Sequence, residues 1–321
     1  MARLLVIGGS GFFGKSILDS YQRGLLQSFG IGAISVMARS AHKLKSQTPN
    51  LLDKTISLID GDIATCSELP EAEYVIHAAA STDAKDYIAQ PAIERKNIQM
   101  GTLNFCRLAP IYCRGSKIVF ASSGAVYGQQ PIDLVGLRED SPLTQISSLA
   151  PSKQDYAAAK RDSENAIALL GDAGLSVSIA RCFSFVGKYL PRDRSFAIGN
   201  FIENGLRGES ITVNAKSLVY RSYLHSDDLV QWLMRIGQSA SAECPIFNVG
   251  SDEAISIQDL AKKLAAYFQV DLQLPRIEGV SVDRYIPSIE KARAIGCRIE
   301  YPLDRAIEKT ATSLIEGLSL N

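Results

Sequence analysis

A set of three evenly spaced glycines near the N-terminus constrains the fold more than any other feature of this chain. Residues 4–7 form a continuous apolar run, and Gly8, Gly11 and Gly14 follow it at three-residue intervals. Residues 14–29 then show the apolar spacing of a helix. A short apolar run of this kind is typical of a strand that is buried on both faces of a parallel sheet. The order of strand, glycine turn and helix therefore predicts the start of an α/β fold.

Glycines at this junction also predict a ligand. The turn is tight, a pyrophosphate needs close approach to the main chain, and the helix has to pack near the strand. The first turn of the helix adds unpaired N–H groups and a partial positive charge. We therefore predict that Gly8, Gly11, Phe12, Phe13 and Gly14 bind a dinucleotide cofactor, NAD or NADP.

Further along the chain, strand-like apolar segments alternate with helical ones up to about residue 180. This alternation predicts a doubly wound, parallel Rossmann sheet with right-handed connections. We predict a Rossmann NAD(P)-binding domain over 1–182. Residues 183–321 would form mainly a smaller C-terminal α/β substrate lobe, with a segment at about 219–250 returning to the Rossmann core. The predicted strands are 33–38, 56–59, 74–78, 118–121 and 176–180, and the predicted helices are about 86–108, 152–171, 196–207, 226–237, 256–268 and 302–316.

Charge and cysteine content exclude several classes of function. The 321 residues carry 34 basic and 34 acidic side chains, so the net charge gives no general attraction for nucleic acid. The six cysteines include no Cys-x-x-Cys pair, and the three histidines are not spaced as zinc ligands, which predicts reduced thiols and no metal site. The chain shows neither a signal peptide nor a membrane span. We therefore expect a cytoplasmic protein with no nucleic-acid or membrane partner.

The end of the second predicted strand selects between the two nicotinamide cofactors. An acidic side chain there would bind the ribose 2′-hydroxyl of NAD, whereas an arginine would pair with the 2′-phosphate of NADP. Arg39 and Ser40 follow the strand, and the turn itself contains no carboxylate. This pattern favours NADP, with NAD as the alternative.

Two further strand ends supply candidate cofactor contacts. Asp62 and Ile63 follow the third predicted strand. An aspartate there can reach the adenine amino group, and an isoleucine can pack on the ring. Ala78, Ala79 and Ala80 follow the fourth strand, and their small side chains would allow a cofactor to lie close to the backbone.

A tyrosine and a lysine four residues apart are the main catalytic candidates. Tyr156 and Lys160 share one face of the helix predicted at 152–171. The ammonium would lower the pKa of the phenol, so that the tyrosine could exchange a proton with a substrate hydroxyl near neutral pH. Ser123 ends the fifth strand, where ligands bind in parallel sheets, and could donate a hydrogen bond to the same substrate oxygen. His77 is interpreted as a structural residue rather than a catalyst.

Three motifs, taken in this order, resemble the extended short-chain dehydrogenase/reductases and, within them, the NAD-dependent epimerase/dehydratase group that acts on nucleotide sugars. They are Gly-x-x-Gly-x-x-Gly, Ser-Ser-x-x-Val-Tyr-Gly at 122–128, and Tyr-x-x-x-Lys. The resemblance continues at 221–229, 247–250 and 289–293 and so spans nearly the whole chain. It implies an enzyme that binds a nucleotide-diphosphate sugar. It also implies a homodimer formed through the helix that carries Tyr-x-x-x-Lys and the neighbouring helix.

The resemblance also implies a role for individual residues. Ser123, Tyr156 and Lys160 match the family's catalytic triad, and Asn97 matches a residue that supports the lysine through water or the backbone. Arg221 matches an arginine that binds the substrate diphosphate, which suits the fork of a guanidinium. The remaining substrate-binding positions are Thr82, Ser184 and Asn200, the last two near the diphosphate or sugar, and Val213, beside the nucleotide base.

Departures from the family pattern narrow the reaction. The resemblance implies an Asp-Glu pair after the serine or threonine in 4,6-dehydratases, and a glutamate at the second of these positions in decarboxylases. Gly124 and Ala125 stand there and have no proton to move. Hydride and proton transfer remain, as reduction of a keto sugar or as 4-epimerisation through a transient ketone.

The choice between these two reactions depends on the cofactor. A net reductase consumes NADPH, whereas an epimerase regenerates its cofactor within one turnover and usually holds NAD, so Arg39 favours the reductase. Segments 181–187 and 196–201 also resemble 4-keto-6-deoxy-sugar reductases of surface-polysaccharide and antibiotic pathways. The prediction is a NADPH-dependent reductase of a nucleotide-linked 4-keto-6-deoxyhexose. A 4-epimerase with bound NAD(P) is the alternative, and a 4,6-dehydratase or a non-catalytic NADP sensor fits less well.

Overall fold

A central parallel sheet organises the molecule. The computed structural model describes residues 1–80, 90–192, 196–279 and 281–319. In chain order, the strands are β1 (Ala2–Ile7), β2 (Ile31–Ala38), β3 (Ile56–Asp60), β4 (Tyr74–His77), β5 (Lys117–Ser123), β6 (Ser176–Cys182), β7 (Phe185–Val186), β8 (Ile211–Thr212), β9 (Leu218–Arg221), β10 (Leu224–His225), β11 (Ile246–Val249), β12 (Ile255–Ser256), β13 (Leu272–Gln273) and β14 (Val282–Tyr285). The α-helices are α1 (Phe12–Gln22), α2 (Leu44–Gln47), α3 (Pro91–Tyr112), α4 (Pro151–Asp172), α5 (Ala197–Leu206), α6 (Ser226–Gln238), α7 (Ile257–Phe268), α8 (Glu290–Ala294) and α9 (Leu303–Ser319).

The sheet contains seven strands in the spatial order β11-β6-β5-β4-β1-β2-β3, and every neighbouring pair runs parallel. The chain builds one half outward from β1 and then returns to build the other half from β4. The strands β1 and β4 are therefore neighbours at the switch point, where ligands bind beyond the carboxyl ends of the strands. The predicted α/β class and doubly wound parallel sheet are confirmed.

Helices cover both faces of this sheet, which explains why its strands are continuous apolar runs. Successive residues of β1 point to opposite faces. Leu4 belongs to the same buried cluster as Trp232 of α6, and Leu5 to the cluster that contains Phe105 of α3. Because α3 and α4 lie on one face, the helix with the predicted catalytic pair packs directly on the sheet.

The C-terminal part of the chain forms short strands and a separate apolar cluster. β9 pairs with β12 and β14, β8 with β13, and β7 with β10. The helices α5, α7 and α9 supply the buried side chains Phe201, Leu260 and Ile307. β14 runs parallel to β9 and places Tyr285 opposite Arg221. In contrast, α6 and β11 pack on the Rossmann sheet, where β11 extends the edge beyond β6.

The first helix is shorter than predicted. α1 ends at Gln22, and Gly24 then takes a left-handed conformation with a φ of +78°, which terminates the helix. A 3₁₀ turn at Gln27–Phe29 covers the remainder of the predicted segment. Among the helices in the described ranges, none combines the length and the apolar composition that a membrane crossing needs.

Candidate active site

The glycine turn closes against the end of β4. Gly8 has a φ of +88°, and a side chain there would lie 2.7 Å from the Ala78 carbonyl group. A side chain on Gly14 would overlap the carbonyl oxygen of Gly9. At Gly11, which is exposed at the start of α1, a Cβ would meet its nearest neighbour only at 3.7 Å. Packing therefore requires glycine at positions 8 and 14, whereas the space at Gly11 suits an anionic ligand at the helix N-terminus.

Aromatic and small side chains surround this turn. The rings of Phe12 and Phe13 lie 6.2 and 5.4 Å from the ring of Phe185. Three half-buried alanines follow β4: Ala78, Ala79 and Ala80. Thr82, predicted to contact the substrate, lies outside the described residues. The open helix terminus and the small side chains beside it fit a dinucleotide, so these residues would hold the pyrophosphate of NAD(P).

Hydrogen bonds within the loop after β3, and one from α3, hold this loop in place. The Asp62 carboxylate accepts the main-chain N–H of Ala64 at 2.9 Å. Asn104 of α3 donates its amide to the Ile63 carbonyl oxygen at 2.8 Å, and the Ile63 side chain is buried. Asp62 and Ile63 thus keep fixed positions beyond the end of β3, as a contact with adenine would require.

A carboxylate that sequence reasoning missed lies beside the end of β2. Arg39 is exposed and Ser40 is partly buried, but Asp60 of β3 pairs directly with Ala38. Asp60 accepts hydrogen bonds from the main chain and the ring of His42, at 3.0 and 2.9 Å. These bonds hold the pKa of Asp60 below its ordinary value. The sequence could have indicated this carboxylate, because β2 and β3 are adjacent parallel strands and the residues that end such strands lie side by side.

Ser123, Tyr156 and Lys160 come together where β5 meets α4. Ser123 is the last residue of β5, and its side chain interacts with the Tyr156 phenol. Lys160 is 3% exposed, and its Nζ donates to the Ala121 carbonyl oxygen at 2.9 Å. The same Nζ lies 6.0 Å from the centre of the Tyr156 ring. One turn of α4 therefore presents a hydroxyl and an ammonium to the carboxyl end of β5.

Burial dominates the electrostatics of this group, which differs from the expectation that the lysine lowers the pKa of the tyrosine. Burial raises the pKa of Tyr156 to about 12, and the interaction with Ser123 opposes this only in part. Burial lowers the pKa of Lys160 to about 8, with opposing contributions from Cys182 and Glu164. At neutral pH, Tyr156 is a protonated phenol, which suits it to donate a proton.

A buried ion pair fixes α4 against the sheet beneath these residues. Glu164 lies one turn after Lys160 on α4, and its carboxylate receives the Arg181 guanidinium at 2.7 Å and the Ser122 hydroxyl at 2.5 Å. Both charged side chains are less than a tenth exposed. These contacts join α4 to β5 and β6. They therefore fix the position of α4, and with it the position of Lys160, on the sheet.

The position after Ser123 is closed by another tyrosine that sequence reasoning missed. A Cβ on Gly124 would lie 2.6 Å from the Tyr285 hydroxyl oxygen and 2.8 Å from the ring of Phe183. The Tyr285 hydroxyl donates to the Cys182 carbonyl oxygen at 3.5 Å, and it also interacts with the Ser123 side chain. Tyr285 lies on β14, so only the long-range pairing of the C-terminal strands brings it here. The two positions at 124 and 125 thus lack a carboxylate, and the first of them lacks room for one.

The predicted diphosphate ligand, Arg221, is paired with an acid. Its guanidinium meets the Asp283 carboxylate at 2.9 Å and also donates to the Tyr220 carbonyl oxygen at 2.8 Å. The carbon at the centre of the guanidinium lies 5.9 Å from the centre of the Tyr285 ring. Arg221 therefore faces the same region as the reaction centre, with its charge balanced by Asp283.

The other predicted substrate residues differ in how they are placed. Asn200 of α5 has a buried amide oxygen that lacks a hydrogen-bond partner among the described residues, as expected of a group that awaits a ligand. Ser184 is half-buried between β6 and β7. Val213 is 4% exposed and belongs to the apolar cluster of the lobe.

Two residues near the cofactor region, Asn97 and His77, do not contact the catalytic residues. The Asn97 side chain is exposed and donates to Glu94 at 3.4 Å, so the structure does not bring its amide to Lys160. His77 is buried between the rings of Phe105 and Phe120, 4.9 and 5.4 Å away. Burial lowers its pKa to about 3. A neutral, enclosed imidazole agrees with a structural interpretation of His77.

Comparison with known proteins identifies a family for the chain. A family model described as "NAD dependent epimerase/dehydratase family" matches residues 4–250. UDP-glucuronic acid decarboxylase 6 of Arabidopsis thaliana is 27% identical over 299 residues, which cover 91% of this chain and 82% of the relative.

Solved structures share the fold at lower identity. UDP-glucose 4-epimerase of Thermotoga maritima, solved with UDP-glucose, superposes with a TM-score of 0.79 at 21% identity, covering 98% of this chain and 99% of the other. The dTDP-glucose 4,6-dehydratase DesIV of Streptomyces venezuelae, solved with NAD bound, gives a TM-score of 0.80 at 22% identity, with 99% and 98% covered.

Proposed function

This chain belongs to the NAD-dependent epimerase/dehydratase family, and we propose that it is a NADPH-dependent reductase of a nucleotide-linked 4-keto-6-deoxyhexose. It is an NAD(P)-dependent enzyme of that family, whose members matched here carry the names of nucleotide-sugar decarboxylases, epimerases and dehydratases. The observation that carries the narrower proposal is the composition of the reaction centre. It holds hydroxyls and an ammonium, and the positions after Ser123 offer no acid for elimination.

Each of the three central residues has a part in the reduction. Tyr156 donates its proton to the C4 oxygen as the ketone becomes an alcohol. Ser123 donates a hydrogen bond that orients this oxygen. Lys160 stabilises the developing phenolate and holds the ribose of the cofactor, which supplies the hydride to C4 when it is bound. Because the phenol is protonated at neutral pH, the direction it serves without prior ionisation is reduction.

The substrate and the cofactor phosphate are assigned to separate arginines. We propose that Arg221 binds the diphosphate of the sugar nucleotide, with Ser184 and Asn200 near the sugar or diphosphate and Val213 beside the base. Arg39, exposed after β2, would pair with the 2′-phosphate of NADPH. A reductase would draw NADPH from the cytoplasmic pool, where we expect the protein to reside.

The test is direct turnover of 4-keto-6-deoxyhexoses linked to dTDP, CDP or GDP, followed as loss of NADPH absorbance. We expect one of these substrates to oxidise NADPH stoichiometrically and to yield a 4-hydroxyl product. Tyr156→Phe should lower kcat by roughly 10²- to 10⁴-fold while retaining cofactor binding. No oxidation of NADPH with any member of the panel would rule the reductase out.

A nucleotide-sugar 4-epimerase is the second candidate, and Asp60 is the observation that favours it. A carboxylate beside the end of β2 suits the ribose 2′-hydroxyl of NAD, the cofactor that an epimerase would retain. This candidate predicts cofactor released on denaturing the purified protein, and interconversion of a 4-epimer pair without net oxidation of added NADPH. Protein isolated without cofactor would argue against it.

We also propose that the chain forms a homodimer through α3 and α4. α3 exposes a row of large apolar side chains at helical spacing: Ile93, Met100, Leu103 and Ile111. Leu169 on α4 is 65% exposed. Such a contiguous apolar surface usually marks an interface. Light scattering should give twice the chain mass, and Leu103→Lys should give the monomer, whereas Leu274→Lys in the lobe should not. A monomeric wild-type protein would contradict the proposal.

A further inference from the structure

A short turn that follows Ser123 holds the serine side chain in place. Residues Gly124–Tyr127 form a 3₁₀ turn, and the Ser123 oxygen accepts the Ala125 main-chain N–H at 3.1 Å. This bond occupies a lone pair, so the hydroxyl proton stays available to a substrate oxygen. The direction of the Ser123 hydroxyl therefore depends on where the turn lies.

Arg161, the residue after Lys160, joins this turn to the helix α4. Its half-buried side chain donates from Nε to the Val126 carbonyl oxygen at 2.8 Å and from Nη2 to the Thr144 carbonyl oxygen at 2.7 Å. The first carbonyl group belongs to the turn after β5, and the second belongs to the segment that leads into α4. Because the planar fork of a guanidinium can serve two acceptors in a fixed geometry, one side chain holds three parts of the chain together.

The turn and the segment before α4 are also bonded to each other and to the sheet. The Thr144 N–H donates to the Tyr127 carbonyl oxygen at 2.9 Å. The Tyr127 side chain is buried, and its hydroxyl donates to the Asn248 side-chain oxygen of β11 at 2.7 Å. Tyr127 thus fixes the turn to the edge of the sheet, whereas Arg161 fixes it to the helix that carries Tyr156.

We propose that Arg161 is a positioning residue, which sets the separation of the Ser123 hydroxyl and the Tyr156 phenol by fixing the turn after β5 to α4. Its N–H groups face main-chain carbonyl groups, so it acts through Ser123. The kinetic consequence rests on the proposed function, but the hydrogen bonds themselves do not. Both hydroxyls serve one substrate oxygen, and a misplacement of about 1 Å in such a pair can lower the rate by about 100-fold. Removal of the guanidinium should therefore lower kcat and leave KM little changed.

The first test measures main-chain amide exchange by mass spectrometry and needs no substrate. Arg161→Lys keeps the charge but loses the fork, so it can hold at most one of the two carbonyl groups firmly. Exchange within residues 124–130 and 143–149 should become roughly three- to ten-fold faster. Arg298→Lys is the matched control, since Arg298 also donates to two main-chain carbonyl groups, at 3.0 Å, and it should leave both segments unchanged. Exchange in Arg161→Lys that equals wild type would overturn the proposal.

The second test is a double-mutant cycle in kcat. Arg161→Ala should lower kcat by roughly 10- to 100-fold with KM little changed, and Arg161→Lys should retain part of the lost rate. In the Ser123→Ala background, Arg161→Ala should lower kcat by less than about three-fold more, because the hydroxyl that Arg161 positions is already absent. A merely structural contribution would lower kcat equally in both backgrounds. Equal losses, or a rise in KM alone, would overturn the positioning role.

The positioning role and the proposed function can fail separately. Reduction of a 4-keto sugar or interconversion of two 4-epimers would allow the cycle to be measured, since both reactions would use the same serine and tyrosine. If no substrate of either kind is turned over, the proposed function is ruled out, whereas amide exchange still decides whether Arg161 fixes the turn. Faster exchange with an unchanged kcat would overturn the positioning role and leave the proposed function standing.

Discussion

The two sides of the candidate site are built in different ways. On the Rossmann side, Ser123 and Lys160 are 9% and 3% exposed, and their contacts come from the adjoining elements β5 and α4. On the lobe side, the Arg221 side chain is 23% exposed and meets an Asp283 side chain that is 43% exposed. The first side is enclosed and fixed, whereas the second is solvated and carries its own counter-charge.

This difference indicates that one side of the site carries out the chemistry and the other determines substrate affinity. Enclosed groups keep their geometry and suit chemistry, which depends on preorganisation. An exposed ion pair contributes only about 0 to 1 kcal/mol, so a substrate phosphate can replace the Asp283 carboxylate at little cost. Substitutions on the first side should therefore act on kcat and on stability, and those on the second should act on affinity.

The largest effect should come from Tyr156→Phe, which removes the proton donor but keeps the ring. We expect kcat for keto-sugar reduction to fall by roughly 10²- to 10⁴-fold, with KM within a few-fold of wild type. Steady-state NADPH oxidation measures both constants. Tyr267→Phe, on the exposed face of α7, is the control and should behave as wild type. A rise in KM with unchanged kcat would contradict the assignment of catalysis to the Rossmann side of the site.

The Rossmann side could be predicted from the sequence because its signals are local. Gly8, Gly11 and Gly14 lie within one turn, and Tyr156 and Lys160 lie within one turn of a helix. Periodicity and strand-to-helix order then place these groups at the carboxyl edge of a parallel sheet. What the sequence could not provide was burial, which raises the pKa of Tyr156 instead of allowing Lys160 to lower it.

The lobe side could be predicted only in part, because its contacts join distant segments. Arg221 was found through the family resemblance, but its partner Asp283 depends on the pairing of β9 with β14. Tyr285 reaches Ser123 through the same pairing. Strands as short as these leave little periodic signal in a sequence, and their register is set by tertiary contacts.

Lys160→Met tests the enclosed Rossmann side through the free energy of unfolding. The buried ammonium has a pKa of about 8, below its ordinary value of 10.5. The unfolded chain therefore binds more protons between these two values, and the cost of burying the charge is fully present below about pH 8 and is relieved as the pH rises to about 10.5. Lys160→Met should be more stable than wild type at pH 7, by roughly 1 to 3 kcal/mol, and the gap should narrow by pH 10.

Urea unfolding at the two pH values measures this gap. Lys117→Met is the matched control for loss of a lysine–carbonyl hydrogen bond, since Lys117 donates to the Ala240 carbonyl oxygen at 3.0 Å. A variant at position 160 that is less stable than wild type at pH 7 would mean that the hydrogen bond to Ala121 outweighs the cost of burying the charge.

Asp283→Asn tests the other side of the comparison. With the counter-charge removed, Arg221 meets a diphosphate without competition, and the affinity for UDP, dTDP, CDP or GDP should rise by up to about ten-fold. Calorimetry measures the dissociation constants, and kcat should change little. Glu278→Gln removes the same charge from another ion pair of the lobe, with Lys216, and should have a smaller effect. Weaker binding in Asp283→Asn would show that Asp283 orients Arg221 and does not compete with the substrate.

The smallest effect should be at the end of β2, where Arg39 and Asp60 favour opposite cofactors. Both side chains are solvated, so each contributes modestly. Asp60→Asn should raise the affinity for NADPH relative to NADH by roughly two- to five-fold, and added salt should reduce that ratio. Asp140→Asn, an exposed charge in another loop, controls for the overall change in charge. If Asp60→Asn alters the ratio no more than Asp140→Asn does, the carboxylate is outside the cofactor site and selection rests on Arg39, which would favour the reductase over the epimerase.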